Sequence, residues 1–130
     1  MATVRIGVDL GQRVDPTAIV VTEIERRGDG THYLIRHLAR LPLGTSYPAV
    51  VDRLILISWK LVADHGDAPL WVDATGVGQP VIDLLREAAL QVTPVYLTGT
   101  DKAVKVDGEL SLGKALLVSR LQVLLQSSRI

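Results

Sequence analysis

Apolar residues in this chain first change from strand to helical spacing near residue 45, and that switch restricts the fold more than any other feature. Through residue 41 they alternate or run in short blocks bounded by turn residues, as strands do. Thr3 to Leu10 and Thr17 to Glu25 read as two strands, "RRGDGT" as a Gly-rich hairpin turn, and His32 to Leu41 as a third strand. After "LPLGTSYP" the period becomes helical. Val50, Leu54, Ile57 and Leu61 recur, with Val51, Ile55 and Val62 beside them, through about Asp64. Pro48 suits a first helical turn and Ser46 a cap. "APLWVDA" then predicts a short strand ending on Asp73. "TGVGQP" predicts a turn whose Pro80 opens a second helix to about Ala89, and "QVTPVYLTG" a fifth strand. Residues 98–110 read as a polar loop, and Ser111 to Ser127 as a third, amphipathic helix.

The order is therefore β-β-β-α-β-α-β-α. A meander joined by hairpins is antiparallel, whereas strands joined through a helix are normally parallel with a right-handed crossover. The expected fold class is α/β and ribonuclease H-like: a five-stranded mixed sheet, order 3-2-1-4-5, flanked by helices. A flavodoxin-type sheet needs a helix between the first two strands, and residues 11–16 are too few for one.

With 130 residues and no linker or repeat, residues 1–130 are expected to form one domain. Its core is aliphatic, because 48% of residues are apolar while Phe is absent. Lys plus Arg equals Asp plus Glu at 14 each, so no net charge recruits nucleic acid and any polyanion contact must be local. Zero cysteines exclude disulfides and thiolate metal sites. No apolar run reaches the roughly 18 residues of a membrane span, and no signal-peptide layout opens the chain, so a cytoplasmic protein is expected.

Two aspartates stand out against this frame. Asp9 and Asp73 each end an apolar strand, although Asp is poor in strands and costly to bury unpaired. If those strands are neighbours, their backbones run about 4.8 Å apart and the two carboxylates share one small volume. Like charges so close repel unless a cation neutralises them, and carboxylate oxygens suit the hard ions Mg²⁺ and Mn²⁺. A pair of such ions activates a water and stabilises the leaving oxygen in phosphodiester cleavage. The competing account is that each Asp merely caps the turn after its strand. Asp15, before Pro16, reads first as a turn-forming residue, with a supporting place beside the metals as the alternative.

"IGVDLGQRVDPTAIVV" followed by "LWVDATGVGQPVIDLL" resembles the nuclease domain of the large terminase subunit of tailed phages and prophages. The downstream "LGKALLVSRLQVLLQSSRI" is similar to that family's next helix, so the resemblance spans nearly the whole chain. It implies a metal-dependent endonuclease that cuts concatemeric double-stranded DNA during packaging. Asp9 and Asp73 would be its catalytic metal ligands, Mg²⁺ or Mn²⁺ its cofactor, and an ATPase motor and portal its partners. Members of the family carry a third acidic ligand beyond this helix, whereas this sequence stops at Ile130. Asp101, Asp107 and Glu109 lie upstream of the helix and are not promoted to that role. No G-x-x-x-x-G-K-[ST] motif of an ATPase motor occurs either. A fragment or a degraded prophage remnant is therefore expected, with weak cleavage or none by this chain alone.

Other features are weighed more lightly. "TGVGQP" reads as a tight strand-to-helix turn or as a backbone contact for DNA phosphate. His32, His37 and His65 show no metal-ligand spacing and are expected at surface or edge positions. Arg26/Arg27, Arg36/Arg40 and Lys102/Lys105/Lys114 form basic clusters, the last a candidate DNA groove or simply a solvated loop. Trp59 and Trp71 are expected to pack. "GVDLG" also resembles the first phosphate loop of actin-like ATPases and sugar kinases, but Gln12-Arg13 replace its hydroxyl residue. A Holliday-junction resolvase shares the expected fold and metal chemistry with a different DNA substrate, and an inactive scaffold for packaging proteins is a further class.

Overall fold

A computed structural model describes residues 2–11 and 14–130. The elements are β1 (Thr3–Asp9), β2 (Ala18–Arg27), β3 (Gly30–Arg40), α1 (Tyr47–His65), β4 (Leu70–Asp73), α2 (Gln79–Glu87), β5 (Val92–Thr98), β6 (Ala103–Val106), β7 (Glu109–Gly113) and α3 (Lys114–Gln126). They build one mixed sheet of order β3-β2-β1-β4-β5-β7-β6. The meander β1-β2-β3 is antiparallel, and β1, β4, β5 and β7 run parallel. The expected order 3-2-1-4-5 is thus contained in the sheet, but the count of five strands is corrected to seven.

The two added strands come from the segment read as a polar loop and from the first residues of the third expected helix. Val106-Asp107-Gly108-Glu109 is a two-residue hairpin turn, with Asp107 and Gly108 at φ of 53° and 77°. That backbone matches the right-handed twist of the flanking strands, which is why Asp-Gly favours such turns. Val104, Val106, Leu110 and Leu112 alternate around that Asp-Gly, a hairpin signal that the polar-loop reading passed over, and all four β6 residues are exposed. The third helix accordingly begins at Lys114 rather than Ser111, because Ser111 and Leu112 pair in β7.

Alternate residues divide the sheet into two faces. Val4, Ile6 and Val8 of β1 join Ile19, Val21, Leu70 and Val72 in a buried aliphatic cluster. Val50, Val51 and Leu54 of α1 and Ile82 and Leu85 of α2 complete it. Ser46 caps α1, accepting a hydrogen bond from Ala49 N–H at 3.3 Å, and Gly66 ends it in a left-handed conformation. The other face is an open apolar trough of about 550 Å³, where Val20, Trp71, Leu97 and Leu112 lie beside Asp9 and Asp73. No residue of α3 is buried, although Leu117 reaches this trough, so the helix read as amphipathic leaves its apolar residues largely open. Its far end is tied back to β3, where Tyr33 N–H donates to the Arg129 carbonyl at 2.8 Å.

The joint between β7 and α3 needs a glycine for space. A Cβ on Gly113 would fall within contact distance of the Thr100 carbonyl, and Gly113 N–H already donates to Lys102 O at 2.9 Å. Backbone cannot step aside as a side chain does. Gly113→Ala should therefore destabilise the fold by about 1–3 kcal/mol, as overpacking does. A urea midpoint unchanged from the parent would contradict this close approach.

Candidate functional site

Asp9 and Asp73 are brought together by strand pairing. They are register partners at the carboxyl ends of neighbouring parallel strands, β1 and β4, and so project from the same face. The row continues outward on that face, since Asp9 pairs with Ala18 and Ala18 with Arg40. Ala18 offers only a methyl, which leaves room between the acids and the arginine. The resulting cleft of about 340 Å³ is lined by Asp9, Asp15, Arg40 and Thr75, with Gly11 and Pro16.

Local contacts explain how the flanking turns are held. After β1 the loop is closed by Thr17, a buried residue whose hydroxyl accepts from Gly11 N–H at 2.9 Å. Tyr47 at the start of α1 donates its hydroxyl to Gly11 O at 3.3 Å. After β4, Asp73 Oδ1 accepts from Thr75 N–H at 3.0 Å, and Thr75 Oγ1 accepts from Leu97 N–H at 2.9 Å. Asp73 therefore does cap its turn, as the bland account expects, with one of its oxygens.

The electrostatics point to more than a cap. Desolvation raises the Asp9 pKa above its ordinary value. The Asp73 charge, a hydrogen bond shared with Asp73 and the Asp15 charge push it further the same way. A carboxyl that holds its proton more tightly because a second acid stands beside it marks a place where positive charge is favoured. The donor set fits a hard cation that keeps most of its water, as Mg²⁺ does when bound by one or two carboxylates. Among the described residues, no group of three or more His, Cys, Asp or Glu side chains gathers around it.

The remaining sequence candidates distribute as follows. Asp15, read mainly as a turn former, lines the acidic cleft. Arg40, read only as half of a basic cluster, lines it too. Arg36 is elsewhere, bound to Glu23 with Nε at 3.1 Å from Oε2. Arg27 pairs with Glu25 at 2.8 Å on the surface. Lys102, Lys105 and Lys114 do not line the acidic cleft. His32 is buried on edge strand β3, its Nε2 2.7 Å from Asp29 Oδ1 across the hairpin turn. Trp59 does not pack, being 69% exposed on the outer side of α1. Trp71 stands on the open face with the Arg5 guanidinium 5.4 Å from its ring centroid. The Gly76–Gly78 turn borders a separate cleft of about 430 Å³ with Gly11, Gly44 and Thr45. Among the described residues no helix is long and apolar enough to cross a membrane.

No family model and no curated protein matches the chain. Among solved structures it is similar to the RuvC structure of Thermus thermophilus, with a TM-score of 0.47 and 14% sequence identity. The likeness covers 72% of this chain and 62% of that one, so the chain spans less than two thirds of its neighbour.

Proposed function

We propose that the chain is the metal-dependent, DNA-cleaving module of a ribonuclease H-like nuclease, of the kind found in terminase large subunits. The observation that carries this reading is the pair Asp9 and Asp73, in register at the carboxyl ends of adjacent parallel strands. Open α/β sheets place ligands at that end. The narrower terminase assignment, with concatemeric DNA as substrate and a packaging motor and portal as partners, rests on the resemblance of "GVDLG" and "VDATGVGQPV".

In this reading Asp9 and Asp73 hold Mg²⁺ or Mn²⁺, which when bound supplies an activated water and neutralises charge on the phosphate. Thr75 N–H orients the Asp73 carboxylate, which with Asp9 would hold the ion. Asp15, at the same cleft, adds negative field and positions water. Arg40 meets the DNA phosphate: it shares the cleft, and among the described residues it enters no ion pair. Two carboxylates make a sparse site, so cleavage by this chain alone is expected to be weak, and metal binding is the more direct test. Crystals soaked in millimolar Mn²⁺ should show anomalous density between Asp9 and Asp73; none there at full soak would remove the reading.

The role of Arg40 has its own test. Arg40→Ala should weaken binding of a DNA duplex about three- to tenfold in Ca²⁺, where cleavage is suppressed, and lower the salt slope by about one phosphate contact. Arg40→Lys should recover part of the loss, and Mn²⁺ affinity should not fall in either variant. Unchanged DNA affinity and salt slope in Arg40→Ala would assign the arginine to the solvated surface.

A further inference from the structure

A second cleft, unused by the nuclease reading, opens between α1 and the β2–β3 edge of the sheet, with a volume of about 450 Å³. Its floor is aliphatic, with Val21 from the sheet and Ile57 and Leu61 from α1. Its rim is cationic, with Arg53 and Lys60 on α1 and Arg36 on β3. A β-bulge at Val21/Thr22 leaves Arg36 as the extra residue of its strand, which delivers it to this side. Glu23 holds the Arg36 guanidinium through contacts of 3.1 and 3.5 Å and offsets its charge. Arg53 and Lys60 have no such counterion: among the described residues neither enters an ion pair, and no Asp or Glu lines the cleft. Leu56, which also lines the cleft, is 65% exposed, and Trp59 beside it on α1 is exposed as well.

We propose that this cleft docks an acidic, amphipathic segment of another protein, and this stands whether or not Asp9 and Asp73 bind metal. Aliphatic side chains of the partner cover the Val21, Ile57 and Leu61 floor, and its carboxylates meet Arg53 and Lys60. Charge complementarity selects acid over base, and the apolar floor selects a peptide over a nucleic-acid backbone, whose phosphates leave such a surface wet. Trp59 adds an exposed aromatic of the type that anchors interfaces.

The test uses the full chain, isotopically labelled for NMR, and three probes. The first is a synthetic helical peptide of about 18 residues with Leu at every third or fourth position and Glu elsewhere. The second is the same peptide with Lys for Glu, and the third a short DNA duplex. The Glu peptide should shift amides of α1 and β3 around Arg53, Lys60 and Arg36, and the Lys peptide should not. Arg53→Glu with Lys60→Glu should weaken Glu-peptide binding at least about tenfold, equivalent to about 1.4 kcal/mol, at unchanged melting temperature. Should the double reversal melt early, Arg53→Gln and Lys60→Gln singly should each weaken it about threefold. Equal affinity in these variants, shifts centred on α3 and the open face, equal binding of the Lys peptide, or stronger perturbation of the same amides by DNA would each overturn the proposal.

Discussion

Asp73→Asn is expected to abolish stabilisation by divalent metal while leaving the protein without added metal at least as stable as the parent. Asparagine keeps an oxygen for the Thr75 N–H, so the turn after β4 survives and only the charge is lost. In the parent, Mn²⁺ at about 100 times its Kd should add about 2.7 kcal/mol. For a chain of this size that is roughly 10 °C in Tm. Asp73→Asn and Asp9→Asn should each reduce that rise to almost nothing in a thermal melt. A parent that shows no rise at millimolar Mn²⁺, or an Asp73→Asn variant that keeps it, removes the metal site.

The same pair sets a pH dependence. Asp9 has a raised folded-state pKa, from desolvation first and from Asp73 second. A carboxyl whose pKa is higher folded than unfolded favours the fold when protonated. Its contribution is fully present below the ordinary value of 3.8 and is lost as pH rises through the raised folded value. Asp9 as a residue stays exposed, so water screens the effect and it is small in energy. Without added metal, this part of the stability should rise as pH falls from neutrality toward 4. Asp73→Asn should flatten that rise in part, because desolvation remains.

Leu54→Ala should cost about 3–4 kcal/mol, a large share of the 5–15 kcal/mol typical of a domain. Leu54 is 0% exposed and sits where α1 meets the sheet, so truncation leaves a cavity that neighbours on rigid strands cannot close. Leu56, two residues on, faces solvent, and Leu56→Ala should change stability by less than about 0.5 kcal/mol. Chemical denaturation of the two variants compares one residue type on one helix, with burial as the difference. A Leu54→Ala midpoint within error of Leu56→Ala would place α1 off the core.

Element types were largely legible in the sequence because each is a local pattern. Alternation gave the meander away, the 3.6-residue spacing of Val50, Leu54 and Leu61 predicted α1, and "VDATGVGQP" announced a strand, turn and helix. The β6–β7 hairpin was misread as a loop although its Asp-Gly turn is flanked by alternating Val104, Val106, Leu110 and Leu112, because the charged residues Lys102, Lys105, Asp107 and Glu109 make the segment look polar. Trp59 was misplaced because a large aromatic on a helix is more often buried than not, and only packing decides.

Arg40 shows what local reading misses. Counting nine residues back from Arg27 and nine on from Gly30, an unbroken ladder would set Ala18 opposite Ala39 and turn Arg40 to the other face. The bulge at Val21/Thr22 inserts one residue, so Ala18 pairs with Arg40 and the arginine joins the row of Asp9 and Asp73. By itself the sequence determined the first five strands and the helices, and that an acid ends each of two strands, because periodicity and turn chemistry act over a few residues. Only the tertiary structure decided that those acids are register partners, that a cation shares the cleft of Asp9 and Asp15, and that one sheet face stays open. Register and face depend on a one-residue bulge and on hydrogen bonds between strands far apart in the chain, which no local pattern encodes.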